Sequence, residues 1–329
     1  MDKSIDPLGQ LATILGPFLG GGERLSWPFL ITFGLVGWWL YTGRERSKGN
    51  NQGFLAYLLP TEVYLHPDAI RTYILVILNG LLHLVINLSV LIFSVTKIAS
   101  ITKAGLVSAL GPGPELAIGF AAIIGFSIAL FVVQDFAFWA IHYAFHKVPF
   151  LWEFHKVHHC PEVLTPVTDR QFHPLETIGK GLAVSVIVGP LIGLTYYLFG
   201  SQPPEVTIMG IAALTVLVNI WGNFRHSHIW IQFPRWLSYI VSSPAMHHIH
   251  HSKDERHWDK NLAVALSLWD HLFGTLYIPE EREQIEFGVA GMPEDEFNSV
   301  AKLYARPIQR SLQLLWPQRT TPSQLPATE

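Results

Sequence analysis

Residues 116–146 read LAIGFAAIIGFSIALFVVQDFAFWAIHYAFH, and this stretch decides the fold. The apolar run from Leu116 to Ile141 exceeds the ~20 residues that a membrane-spanning helix needs, and Asp135 is its one charged residue. The run ends in His142 and His146. At about 100° per helical residue, these two side chains lie about 40° apart on one face. The stretch therefore predicts a membrane helix that presents two imidazoles where it leaves the bilayer.

The composition of the whole chain is that of a membrane protein. Half of its 329 residues are hydrophobic and only 14% are charged, whereas soluble domains carry about 25% charged residues. The mean hydropathy is +0.30. A net charge of −3 excludes a basic surface for nucleic acid. The single cysteine, Cys160, excludes an intrachain disulfide framework and a thiolate zinc site.

The apolar residues fall into five long stretches, none of which alternates as the strands of a membrane barrel do. We therefore predict an all-α chain of polytopic membrane helices. The stretches are Trp27–Tyr41, Ile70–Thr96, Leu116–Ile141, Ile178–Gly200 and Val206–Gly222. The first, at about 15 residues, is short for a span, so it either crosses the bilayer or is re-entrant or interfacial.

Positive charges predict the orientation, because Lys and Arg accumulate on the cytoplasmic side of membrane proteins. The basic residues near the histidine clusters are Lys147, Lys156, Arg170, Lys180, Arg225, Arg235, Lys253, Arg256 and Lys260. The loop before the third stretch has only Lys97 and Lys103, and the turn near Pro203 has neither Lys nor Arg. We expect the histidines and the C-terminus on the cytoplasmic face, whether or not the first stretch spans.

Histidines carry the chemistry of this chain, since fourteen of the sixteen lie between His142 and His271. Beside the first pair stand two triples with identical spacing, each spanning about 100° of a helix. The eight residues are His142, His146, His155, His158, His159, His247, His250 and His251. One zinc ion takes about four ligands, so eight imidazoles suit two metals that share a site.

The ligand type indicates a redox metal rather than a hydrolytic zinc. Imidazole suits iron, copper, zinc and nickel. The His-Glu-x-x-His pattern of zinc peptidases is absent, because Tyr, Ala and Phe separate His142 from His146. A metal pair that activates dioxygen fits better.

Several motifs resemble, in order and spacing, those of the fatty acid hydroxylase/sterol desaturase superfamily, from about Asp135 to Tyr277. They are His142-x-x-x-His146, WEFHKVHH at 152–159, QFHPLE at 171–176, RHSH at 225–228, Pro244-x-x-His-x-x-His-His251, Asp259-x-Asn261 and LWDHLFGT at 268–275. The resemblance implies an integral-membrane non-haem enzyme with two iron ions. Such an enzyme uses dioxygen and two electrons to hydroxylate, or sometimes desaturate, a lipid C–H bond.

The resemblance adds two histidines to the predicted ligands. His226 follows an apolar stretch, and His173 is a ligand, a donor to a ligand, or part of an interfacial turn before Pro174. His228 lies about 200° from His226 on a helix, where many relatives carry Asn, so its role stays open between a supporting contact and an interfacial polar residue. We predict that His248 is structural.

Carboxylates are expected to support the imidazoles, since a ligating histidine usually donates its other N–H to an acceptor. Asp135 is costly in an apolar run unless it has a partner, so we predict that it bonds a histidine from another helix. Weaker candidates for the same supporting role are Glu153, Asp169, Glu176, Asp259 and Asp270. Outside the motifs, Asn79, His83 and Asn87 form a polar stripe that serves interhelical bonding or lines a substrate entry.

The sequence also indicates which electron donors the protein would use. No Gly-x-Gly-x-x-Gly or His-Pro-Gly-Gly segment is present, so electrons must come from a separate reductase, ferredoxin or b-type cytochrome. A lipid desaturase with the same site is the nearest alternative. A histidine-rich metal transporter would place ionisable residues within its spans, where only His83 and Asp135 lie. A metal-stabilised interaction protein without activity is a third alternative, against which the intact clusters argue.

We expect three regions: N-terminal membrane segments (1–115), a catalytic domain with membrane spans and a cytoplasmic helical cap that carries the dimetal site (116–279), and a cytoplasmic tail (280–329) with one short helix near Asp295–Tyr304. The resemblance favours a bacterial inner membrane.

Overall fold

A computed structural model describes residues 24–45, 52–85, 94–208 and 210–316. This part of the chain is mostly helical, which confirms the predicted class in its coarse form. Its α-helices are α1 (Trp27–Leu40), α2 (Phe54–Leu58), α3 (Thr61–Tyr64), α4 (Pro67–Val85), α5 (Val95–Leu110), α6 (Phe120–Lys147), α7 (Pro149–His159), α8 (Pro174–Phe199), α9 (Ala213–Asn219), α10 (Gly222–Arg225), α11 (Arg235–Ser238), α12 (Pro244–His250), α13 (Leu268–Phe273) and α14 (Val300–Leu315). A π-helical turn at Tyr41–Glu45 and 3₁₀ turns at Thr168–Arg170 and Glu255–His257 complete the helical structure.

Within the described residues, two helices are long and apolar enough to cross a bilayer. They are α6, with 28 residues, and α8, with 26. They correspond to the predicted third and fourth stretches. Helix α5 packs closely on α8, because a Cβ atom at Gly189 or Gly193 would lie 2.6 Å from Ile98 Cβ or from the Ala99 carbonyl oxygen. Small residues of this kind allow two membrane helices to approach.

The first two apolar stretches also form helices. Helix α1 has only 14 residues and buries Phe33 and Leu40 against Phe224 and Ile229. Helix α4 is described up to Val85, and residues 86–93 of the predicted second span lie outside the described residues. The segment with Lys97 and Lys103, expected to be a loop, is helix α5.

The prediction of a helical span over Val206–Gly222 is wrong. Two short antiparallel strands, β1 (Thr207–Ile208) and β2 (Ile211–Ala212), open this segment, and they also depart from the all-α expectation. Gly210 adopts the left-handed backbone that a tight turn requires, with φ of +79°. Helix α9 then runs for seven residues, about 10 Å at 1.5 Å per residue and too short to cross a bilayer.

The C-terminal region is more ordered than the predicted tail. Helix α14 extends over Val300–Leu315, well beyond the short helix expected near Asp295–Tyr304. Leu303 and Phe297 are buried in one cluster with Leu75 and Val157. This region therefore packs on α7 and α4 and closes one side of the histidine-rich part.

The histidine-rich part sits over the end of α6. The chain leaves α6 at Lys147 and enters α7 at Pro149, a residue that suits the first helical position because it has no N–H to leave unpaired. Helix α12 also begins with a proline, Pro244, and is buried along its whole length. Leu262 packs on Trp139 of α6, which holds the segment after α12 against the spanning helix.

Candidate metal centre

Nine of the ten predicted ligand histidines converge into two groups. Within each group, ligand-capable ring nitrogens all lie within 4.8 Å of one another. The five-histidine group consists of His142, His146, His155, His159 and His250, and the four-histidine group of His158, His226, His247 and His251. Both groups belong to the described part of the chain, and these residues are the proposed metal ligands.

The helical period distributes each histidine triple between the groups. In α7, His155 and His159 lie one turn apart and enter the five-histidine group, while His158 enters the other. Helix α12 and its end do the reverse, since His247 and His251 enter the four-histidine group. The groups adjoin each other, because the rings of His159 and His251 stack with centroids 4.4 Å apart. The arrangement suits two metal ions side by side.

The five-histidine group presents bare nitrogens to a common centre. His142 Nδ1–H donates to the Leu262 carbonyl oxygen at 2.7 Å, and His155 Nδ1–H donates to Glu176 Oε1 at 2.8 Å. A neutral imidazole has one N–H, so both Nε2 atoms carry lone pairs. These two Nε2 atoms lie 2.9 Å apart. Two lone pairs at this distance repel each other unless a cation lies between them.

Two more rings of this group follow the same pattern. His146 Nδ1 lies 3.3 Å from Asp259 Oδ1, and His250 Nδ1 lies 2.9 Å from the Lys260 carbonyl oxygen. The Nε2 atoms of both rings are buried without a hydrogen-bond partner among the described residues. Buried polar atoms of this kind are costly, so a bound cation is their natural partner. Glu176 and Asp259, two of the five weaker carboxylate candidates, thus contact ring nitrogens of predicted ligands.

The four-histidine group is held by Thr168 and Arg225. The Thr168 hydroxyl donates to the Thr165 carbonyl oxygen and accepts from His226 Nδ1–H at 2.9 Å. Arg225 Nη2 donates to His247 Nδ1 at 2.9 Å, so the neutral His247 ring carries its proton on Nε2. A neutral His247 ring can bind a metal through Nε2 only when its proton is on Nδ1, so metal binding requires Arg225 to release that nitrogen.

Sequence reasoning did not assign these two contacts. Arg225 directly precedes His226 in a recognised motif, so its position offered a signal. For Thr168 the sequence contained no such signal, because no motif or helical spacing links Thr168 to His226.

Burial keeps the imidazoles neutral. Burial, reinforced by the neighbouring rings, holds the pKa values of His155, His158, His159, His247, His250 and His251 well below the usual 6.5. Burial lowers the pKa of His226 to about 3. A neutral imidazole is the form that binds a metal. The donor set of nine neutral nitrogens fits two transition-metal ions rather than the hard cations that prefer oxygen.

A cavity of about 450 Å³ opens beside both groups. Its lining includes His142, His155, His158 and His247 together with apolar side chains of α6, β2 and α9, among them Leu130, Phe131, Phe138, Ala212, Leu214 and Val218. Polar and charged side chains, including Arg24, Gln134, Lys180 and Glu205, complete the lining. The cavity can therefore hold an apolar chain with one of its carbons close to the histidines.

The expected contact between Asp135 and a histidine is wrong. Its carboxylate accepts hydrogen bonds from Ala265 N–H, Leu266 N–H and Trp269 Nε1–H, each at 3.0 Å. Asp270 has a similar role, since it accepts from the N–H groups of Leu262 and Ala263. Both carboxylates hold the 262–270 segment, whose Leu262 carbonyl oxygen in turn accepts from His142.

The remaining histidines lie outside the two groups. His173 Nδ1 accepts from Leu175 N–H as the N-cap of α8, and Nε2–H donates to the Tyr304 carbonyl oxygen. We therefore omit it from the proposed ligands. His228 contacts the Tyr57 carbonyl oxygen at 2.7 Å. His248 contacts the Phe224 carbonyl oxygen at 3.1 Å, in keeping with its predicted structural role.

The polar stripe in α4 is described only in part. Asn79 donates to the Phe172 carbonyl oxygen and accepts from the Tyr304 hydroxyl. These are bonds between helical segments, the first of the two roles considered. The His83 side chain and Asn87 lie outside the described structure.

Comparison with known proteins agrees with this geometry. Residues 127–275 match the family model for fatty acid hydroxylase. An ornithine lipid hydroxylase of Rhizobium tropici is 29% identical over 160 residues, 49% of this chain and 44% of that protein. No solved structure is significantly similar to the chain.

Two further relatives extend the comparison. Human alkylglycerol monooxygenase is 26% identical over 48% of this chain and 32% of its own length. A Delta(7)-sterol 5(6)-desaturase of Gibberella zeae is 27% identical over 47% and 39%. The chain thus matches less than half the length of these three relatives. Residues 127–275, which the fatty acid hydroxylase family model matches, include all nine histidines of the two groups.

Proposed function

We propose that this protein is a membrane-bound non-haem di-iron oxygenase that hydroxylates a C–H bond of a lipid, fatty acyl or sterol-like. The observation that carries the proposal is the pair of adjoining histidine groups beside a cavity that is lined in part by apolar side chains. Two of the relatives are named as a lipid hydroxylase and a monooxygenase. The substrates are dioxygen and the lipid, and two electrons are required.

Iron is the proposed metal for two reasons. The family that the chain resembles uses iron, and imidazole nitrogens are suitable ligands for iron. The nine histidines of the two groups would hold two ions, and bound iron would supply the redox chemistry that activates dioxygen. Glu176 and Asp259 would orient His155 and His146 by accepting their outer N–H groups.

The protein's own contribution is positioning. The apolar walls of the cavity bind the lipid chain and exclude water, while the depth of the cavity selects the carbon that reaches the histidines. Asp135 fixes the loop that contacts His142, and so it acts on the site through the backbone. Electrons come from a separate carrier, either a reductase, a ferredoxin or a b-type cytochrome.

The proposed location is a membrane, with the histidine groups on the cytoplasmic face. Two helices that are long and apolar enough to cross a bilayer support membrane association. The cytoplasmic side is supported by the basic residues around the histidines. We propose a bacterial inner membrane, which rests on resemblance.

A lipid desaturase is the second candidate, because one relative is named as a sterol desaturase. Both reactions begin with removal of a hydrogen atom, and they differ in whether oxygen then bonds to carbon. A metal transporter is less well supported, since the described histidines close into two groups beside a cavity rather than extend along a span.

Lipid analysis of cells with and without the gene, grown under isotopically labelled dioxygen, tests the proposal. A hydroxylase yields a lipid with one labelled oxygen, whereas a desaturase yields an unlabelled double bond. His158→Ala should abolish the product while the protein stays in the membrane. His228→Ala, outside both groups, is the matched control and should retain activity. A labelled product from His158→Ala would remove His158 from the site.

A further inference from the structure

Trp152 contacts three histidines of the proposed metal centre and is not among the residues that line the lipid cavity. Its ring centroid lies 5.1 Å from that of His146, 5.4 Å from His159 and 6.0 Å from His155. These are three members of the five-histidine group. Trp152 is thus an aromatic side chain in van der Waals reach of proposed ligands, although it has no nitrogen that would ligate a metal.

The other side of Trp152 lines a surface cleft of about 340 Å³. The walls include Lys156, Ala290, Phe297 and Arg310. Two ion pairs stand at the cleft, Lys156–Glu153 at 2.6 Å and Arg310–Glu296 at 3.0 Å. The cleft is therefore lined by ion-paired side chains and by the aromatic rings of Trp152 and Phe297. Trp152, which is half-buried, belongs both to the cleft and to the contacts of the histidines.

The lipid cavity reaches the histidines elsewhere. Its lining includes His142, His155, His158 and His247, but not Trp152. An incoming lipid and a molecule bound at the cleft would therefore not compete for space. The oxygenase reaction needs a second approach of this kind, since electrons must arrive while the lipid occupies its cavity.

We propose that electrons enter the metal centre through Trp152, from a carrier protein that docks on this cleft. The inference rests on the proposed oxygenase function. In each of two transfers, the reduced carrier loses one electron and the metal centre gains one. No atom moves, and the Trp152 ring ends each transfer in the state in which it began.

The partner that fits is a small one-electron carrier with an iron–sulfur cluster or haem near its surface. Electron-transfer complexes bury small interfaces, so a cleft of this size at the centre of the contact is sufficient. Electron-transfer rates fall steeply with the gap between donor and acceptor, and an aromatic ring in the gap shortens its non-bonded part. Trp152 is therefore a bridging residue and not a ligand.

The test supplies electrons at the cleft itself, so it does not depend on the identity of the carrier. Ala290→Cys places an exposed thiol on the cleft wall for a ruthenium photosensitiser. The native Cys160 is buried, and burial raises its thiol pKa to about 12, so it resists labelling. A flash in the presence of a sacrificial reductant then delivers one electron, and loss of the ferric absorbance reports its arrival.

We expect this reduction to be severalfold slower when Trp152→Leu is added, with Trp152→Phe between the two. Metal content and reduction by dithionite should stay unchanged. Trp236→Leu, which removes an exposed tryptophan outside the site, is the control and should have no effect. Equal flash-reduction rates with Trp, Phe and Leu at position 152 would overturn the proposal. Should the leucine variant lose metal, the Trp152→Phe comparison decides alone.

Failure of the proposed function would look different. A chain without a reducible metal pair would show no ferric absorbance and no response to dithionite in any variant. If dithionite reduces the metal centre but the rate of flash reduction does not depend on the residue at position 152, the proposed oxygenase function stands. The electron route through Trp152 is then excluded.

Discussion

Single contacts decide whether an imidazole is ready to bind a metal. His155 donates one N–H to the fully buried Glu176, and this leaves the lone pair of the other nitrogen directed into the five-histidine group. Glu176 is also paired with Lys180 at 2.8 Å. The carboxylate therefore fixes the orientation of the ring and increases its basicity as a ligand.

Glu176→Gln should weaken metal binding without dismantling the fold. An amide keeps the size of the side chain but loses the charge, and outer partners of this kind typically change metal affinity about 10–100-fold. Competition with a chelator measures this loss. Glu162→Gln is the control, because that carboxylate is 59% exposed and pairs with Lys253 rather than with a histidine. Equal affinity of the two variants would contradict the assigned role of Glu176.

Asp135→Asn tests the corrected role of Asp135. The amide keeps one acceptor oxygen and replaces the other with an NH₂ donor, so at least one of the N–H groups of Ala265, Leu266 and Trp269 loses its partner. We expect a loss of about 1–3 kcal/mol in the free energy of unfolding. Metal content at neutral pH should remain that of the wild type, because the carboxylate bonds no histidine. Denaturant titration and metal analysis check the two parts. Complete metal loss in a folded variant would favour direct contact with a ligand.

At the scale of elements, short α12 has the largest effect on the site. It is a seven-residue helix that carries His247 and His250, and His251 directly follows its last residue. Helices of this length are not stable alone, so packing and capping hold it. Ser243 caps its start by accepting from Met246 N–H, and Asn261 donates to the Met246 carbonyl oxygen.

Ser243→Ala should therefore affect both stability and metal binding. Loss of an N-cap costs about 0.5–2 kcal/mol, and a frayed first turn of α12 would displace His247. Ser299→Ala is a matched control, since Ser299 caps α14 in the same way, by accepting from Lys302 N–H, but α14 carries no proposed ligand. We expect similar losses of stability, measured by denaturant titration, and reduced metal affinity only for Ser243→Ala. Equal metal affinity would contradict this coupling.

Sequence patterns predicted the elements that have a strong period or a motif. The apolar run before His142 and the one after Ile178 do form long apolar helices, and the histidine triples do face common centres. The prediction of a helical span over Val206–Gly222 was wrong because hydropathy does not report the turn at Gly210, where β-branched neighbours favour strands. The predicted partner of Asp135 was wrong because its partners are backbone N–H groups about 130 residues away in sequence. No local spacing in the sequence encodes such contacts.

At the scale of the molecule, burying many neutral imidazoles links stability to pH. Burial lowers the pKa values of the histidines in the folded state, to about 3 for His226, while unfolded histidines keep a pKa near 6.5. Below that value the unfolded chain binds more protons than the folded chain, so stability falls as the pH decreases. Above it, this contribution is fully present.

The metal-free protein in detergent should therefore melt at progressively lower temperature as the pH is reduced from about 7.5 to about 5.5, across the unfolded pKa. Thermal unfolding followed by circular dichroism measures the trend. His158→Ala, which removes one buried imidazole, should show a shallower dependence. A melting temperature that is constant or rises over this interval would contradict neutral burial of the histidine groups.

The central claim is that nine imidazoles from four separate stretches hold two iron ions side by side. Elemental analysis of the purified full-length protein, expressed with ample iron, tests it most directly when wild type and the His155→Ala and His247→Ala variants are compared. Each variant removes one proposed ligand from a different group. The account predicts close to two iron ions per chain in the wild type, as two groups require, and a clear loss in each variant. A wild type that binds one ion or none, or variants that retain the full complement, would contradict it.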